Sequence, residues 1–231
     1  MIVVAATIHR ITGMGFALCA TPILVLLYGP HDGVLVVTVT AMTASAIMLA
    51  SRWRTVEWRR AATLVLPGLL IAPLGAIVTW HSPQAVLLLV VGVAAVGALL
   101  AASLSPVATT AGRGNAVLVG GAAGFLHITS GLSGPPLVAH AMKSGWPHAS
   151  FAITVQAIFL PLSASTLLWR GLPEVSGPGL LLACAAVAVG LFAGSVASRR
   201  ITARTARMGM LVMAWAGAVL VLLRGIWELA L

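Results

Sequence analysis

Two short stretches carry the side chains able to do chemistry: Arg10-Ile11-Thr12-Gly13-Met14-Gly15 and His127-Ile128-Thr129-Ser130-Gly131-Leu132-Ser133-Gly134-Pro135-Pro136. Each sits in an apolar run, and each would break a helix there. Glycine admits positive φ and lets the backbone approach a ligand. Pro135 and Pro136 suit the first turn of a half-helix, where amides have no intrahelical acceptor. Ser130 and Ser133 suit N-cap positions, and Pro22 follows the first break as Pro136 follows the second. The amides at a half-helix start carry partial positive charge. Two such starts facing each other would hold a small anion. Arg10 and His127 stand just before the two breaks. Arg10 would supply a planar fork for an oxyanion, and His127 a partner able to exchange a proton. Gln156 and Thr40 lie in mid-span and either bridge helices or line the same site.

Other readings stand beside these. Arg10 could lie at a helix end and reach the lipid headgroups. His140 and His148 read as interface residues, and His9, His31 and His81 carry no assignable role. Gly120–Gly124 and Gly190–Gly194 have the spacing of close helix packing. The tryptophans near segment ends, Trp53, Trp58, Trp80, Trp146 and Trp169, suit interfacial anchoring. Cys19 and Cys184 form neither a disulfide framework nor a metal site. No metal or cofactor is expected. All four acidic residues, Asp32, Glu57, Glu174 and Glu228, fall outside the spans or at the C-terminal end, so no intramembrane carboxylate is available to bind a cation.

The chain that must position these groups has 231 residues, 60% hydrophobic and 7% charged, with a mean hydropathy of +1.09. A soluble domain carries about 25% charged residues, so this is an integral membrane protein with lipid as its surroundings. The net charge of +9 does not indicate nucleic acid. Its arginines gather between apolar runs rather than over a surface, the pattern that sets membrane orientation. The charge of the N-terminal stretch follows its apolar residues, the wrong order for a cleaved signal peptide.

About eight apolar segments appear, near 2–28, 33–51, 61–80, 84–105, 116–142, 148–169, 177–198 and 206–227. Continuously apolar runs of about 20 residues predict helices, not barrel strands. The chain also repeats: Arg10-Ile11-Thr12-Gly13 matches His127-Ile128-Thr129-Ser130, Pro22 matches Pro136, Gly75 matches Gly194 and Gly97 matches Gly217. This predicts two membrane repeats, 1–110 and 111–231. If all eight segments crossed, the arginines at 52–60 and at 199–207 would face opposite sides. If segments one and five instead enter and turn back, these clusters, Arg113 and Lys143 all fall inside. The expected fold is therefore all-α, two inverted repeats, each a re-entrant broken-helix hairpin plus three transmembrane helices. Repeats of this kind are a feature of secondary transporters.

The glycine/proline breaks TGMGFALCATPIL and TSGLSGPPLV resemble the paired signatures of the TauE/SafE sulfite-exporter family. The second is the closer match, and the first is poorer in glycine than that family usually shows. The resemblance covers nearly the whole chain. It implies a multi-pass protein of the bacterial inner membrane, not an enzyme, that moves sulfite, sulfoacetate or another organosulfonate by ion-coupled secondary transport, commonly export. Its partners would be the small anion and membrane lipid, with no nucleic acid; a homo-oligomer is left open. The rival from another class is a rhomboid-like intramembrane serine protease using Ser133 in Gly131-Leu132-Ser133-Gly134. That reading wants a histidine on a later helix, and the last histidine is His148. A purely structural scaffold would explain the repeat but not the buried polar breaks.

Overall fold

In the computed structural model, residues 1–103, 113–198 and 203–230 are described. The boundary at 110/111 between the expected halves, and Arg199 and Arg200, lie outside these residues. The described chain is helical throughout: α1 Ile2–Thr12, α2 Phe16–Arg52, α3 Trp58–His81, α4 Gln84–Ser103, α5 Arg113–Ser130, α6 Gly134–Lys143, α7 His148–Arg170, α8 Gly177–Ala197 and α9 Ala203–Ala230, with one 3₁₀ turn at Trp53–Thr55.

Five of these stretches are long and apolar enough to cross a membrane: Phe16–Thr55, Trp58–His81, His148–Arg170, Gly177–Ala197 and Leu211–Ala230. Large apolar side chains are exposed along them, such as Leu66, Leu70 and Leu74 on α3 and Leu181, Leu182 and Phe192 on α8. In water such faces would drive aggregation; in lipid they are the ordinary outer surface. The protein is a multi-pass membrane protein.

Both expected breaks are present. The first lies at Gly13–Gly15, between α1 and α2, and the second at Gly131–Ser133, between α5 and α6. One boundary differs from expectation. No loop separates segment one from segment two; α2 runs on to Arg52 through a single non-helical residue, Gly29, at φ 82° and ψ 169°. Pro30 explains the kink. Its ring cannot accept a helical residue before it without strain, it suits the first turn of the helix that follows, and Gly29 takes the positive φ without penalty.

The helices exchange partners between the two parts of the chain. α1 packs along α8 and α5 along α3, while α4 lies on α9 and α2 on α7. Glycine makes the first two contacts close. A Cβ at Gly120 or Gly124 would strike the backbone of Leu64 or Gly68, and one at Gly190 or Gly194 would strike Val3 or Thr7 and Arg10. The small-residue spacing read from the sequence is thus packing. Charged groups gather at the two ends of α7. At its start, the Glu57 carboxylate accepts hydrogen bonds from Ser150 and, at 2.7 Å, from Trp146 Nε1, and pairs with Arg60 at 3.1 Å. Past its other end, the Glu174 amide donates to Asp32 at 3.1 Å.

Candidate functional site

A cavity of roughly 370 Å³ lies between the two breaks. Its walls come from the end of α1 (His9, Thr12), the first break and the start of α2 (Gly15 to Leu18), and the middle of α2 (Ala41, Ser45). The facing wall is His127 on α5, Gly131 to Pro135, then Val138, Ala141 and Met142 on α6. Trp146, His148, Phe151 and Phe159 complete it, and the exposed Met142 and His148 bring it to the surface at the start of α7. No lysine or arginine is among these residues. The helix starts at Phe16 and Gly134 both reach the wall, and their amides carry partial positive charge there.

The two breaks share one local construction. Gly13, at φ 80°, donates its amide to His9 O at 2.8 Å; Gly131, at φ 72°, donates to His127 O at 2.9 Å. Each glycine ends its helix in the left-handed conformation typical of a C-terminal stop. This sets His9, not Arg10, in the position of His127, one residue away from the correspondence read in the sequence. The same spacing relates Ser45 to Ser163.

The polar atoms are almost all used. His127 is buried, with Nδ1 2.8 Å from Ser133 Oγ and Nε2 3.0 Å from Ser163 Oγ, and its ring stacks on Phe159. Hydroxyls can donate or accept, so this bracket accommodates the imidazole in either protonation state. His9 is also buried; its Nδ1 accepts from the Phe16 amide at 3.4 Å, while Nε2 has no hydrogen-bond partner. The neighbouring Gln156 is spent elsewhere. Its Nε2 donates to Gly13 O at 3.0 Å and Ala152 O at 3.2 Å, and its Oε1 accepts from Ser45 Oγ at 2.9 Å. Gln156 therefore pins the first break to α7 and to the wall residue Ser45.

Of the residues singled out in the sequence, Thr12, Gly15, His127, Gly131, Ser133, Gly134 and Pro135 line the cavity, and Gly13 and Gln156 support it. Arg10, Thr129, Ser130, Pro22 and Pro136 are not in the wall. Arg10 is half-buried with its stem against Gly194, and Pro22 faces Gly217. Thr129 and Ser130 turn back to Phe125 O and Leu126 O within α5, and Thr40 does the same to Val36 O. Ser133 stands at the N-cap of α6 but makes no capping bond, because its hydroxyl meets His127 instead. His9, Ser45 and Ser163 were missed. Setting the repeat on Gly13 and Gly131 would have found all three.

A family model described as Sulfite exporter TauE/SafE matches residues 1–221. Comparison with curated proteins and with solved structures returns no match.

Proposed function

We propose, for a chain that belongs to the TauE/SafE sulfite exporter family and is thus a transporter rather than an enzyme, that the cavity between the breaks is where its anion binds. The substrate is sulfite, sulfoacetate or another organosulfonate, exported across the bacterial inner membrane with coupling to an ion. The observation that carries this is the convergence of two half-helix starts and His127 on one cavity without a fixed cation or a carboxylate. Amide dipoles favour negative charge, and a neutral imidazole can take a proton as the anion arrives. Proton coupling then needs no carboxylate relay. His127 is the adjustable partner, bracketed by Ser133 and Ser163; Thr12, Gly15 and Gly131 to Pro135 form the rest of the contact surface, and Gly13, Gln156, Thr129, Ser130, Pro22 and Pro136 hold the hairpins. Arg10 draws the anion toward the site from beside it.

The exchanged packing of α1 on α8 and α5 on α3 supports a chain of two repeats, 1–110 and 111–231, inverted in the membrane. Such inversion lets one site be exposed alternately to either side. Rhomboid-like hydrolysis has no support: the histidine that meets Ser133 precedes it within the same hairpin, and the family is one of transporters. The test is flux of labelled sulfite and a panel of sulfonates and carboxylates from liposomes holding the purified protein. Saturable flux of sulfur oxyanions that is accelerated by a proton gradient and lost in His127→Ala is expected. Flux indifferent to these anions would overturn the substrate assignment.

A further inference from the structure

We propose that Arg170 bolts the cavity shut at the end away from the arginine cluster, and that Arg52 forms the matching bolt when the cavity opens the other way. The proposal rests on the reading of the chain as an inverted-repeat transporter and names the groups that gate it.

Arg170 is the last residue of α7 and is 6% exposed. Its Nη1 donates to Ile128 O at 2.6 Å, and its Nη2 lies 3.3 Å from both His31 O and His31 Nδ1. One guanidinium thus ties the end of α7 to the tip of α5 and to the α2 kink beside Gly29. Ile128 O belongs to the last turn of α5, whose carbonyls have no partner within the helix. No carboxylate pairs with Arg170 among the described residues. Its buried Nε has no partner either. A structural cation buried this deeply normally has a carboxylate partner and all donors satisfied. Its hydrogen-bond partners are two carbonyls and one imidazole, and the nearby Asp32 acts on it through charge without a direct pairing, a set strong enough to close a gap and weak enough to release into water.

Arg52 stands at the same place in the first part of the chain. It ends α2 as Arg170 ends α7, 118 positions earlier, the spacing that relates Gly13 to Gly131 and His9 to His127. The carbonyl corresponding to Ile128 O is that of Arg10, in the last turn of α1. Arg52 is exposed. The bolt is therefore made at the closed end of the cavity and unmade at the end where Met142 and His148 meet the surface. In the opposite state Arg52 closes on the end of α1 and Arg170 swings out.

The experiment places one cysteine at Val138, on the cavity wall, with Cys19 and Cys184 replaced. An impermeant thiol reagent is applied to right-side-out and to inverted vesicles. Arg170→Gln should raise labelling from the α7-end side roughly tenfold by shifting the two-state population, with Arg170→Lys in between. Arg52→Gln, at an exposed position, should shift labelling the opposite way. Shifts in the same direction, or none in either variant while the unaltered protein labels from both sides, overturn the bolts alone. If the unaltered protein labels from one side only while it transports, the alternating-access reading itself is wrong.

Discussion

The two helix breaks do the same mechanical work with different residues. The first has glycines at both positive-φ positions, Gly13 at 80° and Gly15 at 116°; the second has one, Gly131 at 72°, and a serine where the first has Gly15. At the first break the histidine keeps one ring nitrogen unpartnered and the anchor is Gln156, reaching across from α7. At the second the histidine itself is the anchor, held between Ser133 and Ser163. Gly13 is also jammed against Ala152, while Gly131 has room. The first break is thus a packed pivot, and the second is the polar one.

The sharpest way to break this contrast is alanine at the two glycines. Gly13→Ala should destabilise by about 2–5 kcal/mol, combining a left-handed alanine with a methyl 2.7 Å from Ala152 Cβ. Gly131→Ala should cost only the conformational part, about 1–2 kcal/mol. Thermal unfolding in detergent reads both, and equal losses would show that the first pivot is not tightly packed.

Histidine replacement comes next. His127→Ala leaves two buried hydroxyls short of a partner, a loss of about 1–3 kcal/mol, and should abolish proton-driven flux. His9→Ala should lower flux while leaving its proton dependence in place. Loss of proton dependence in His9→Ala alone would move the adjustable group to the first break.

A third variant tests the cross-tie. Gln156→Leu removes the partner of Ser45 and of the Gly13 carbonyl and should cost about 1–2 kcal/mol, slowing transport without changing substrate preference. A changed preference would place Gln156 on the anion instead.

The smallest effect lies outside the membrane. Hydrogen bonding from Ser150 above all holds the Glu57 carboxyl below its ordinary value, outweighing the opposing effect of burial with help from Trp146 and Arg60. A depressed carboxyl contributes stability that is present above its unfolded value, about 4.3, and is lost as pH falls through the lower folded value. Unfolding midpoints measured from pH 6 to pH 3 should fall more steeply for the unaltered protein than for Glu57→Gln. Parallel curves would mean the carboxylate clasp adds nothing.

Much of this was legible in the sequence. Apolar runs too long and too sparsely charged for water require helices in lipid. Gly-Pro clusters inside such runs require breaks, and glycines four apart require close helix contacts. These are local or compositional facts, and chain order alone states them. The family followed from the same breaks. What the sequence could not state was which side chain beside each break turns inward. Arg10 and His9 are neighbours on α1, and a helix turns about 100° per residue. Only the packing of α1 on α8, set by Gly190 and Gly194, sends Arg10 to one side and His9 into the wall. Likewise Ser133 has the right type and place for a cap, but tertiary structure brings His127 within reach first. Nothing in chain order marks Arg170 as buried; only the fold brings it against the α5 tip, where the Ile128 carbonyl has no acceptor role within its own helix and receives Nη1.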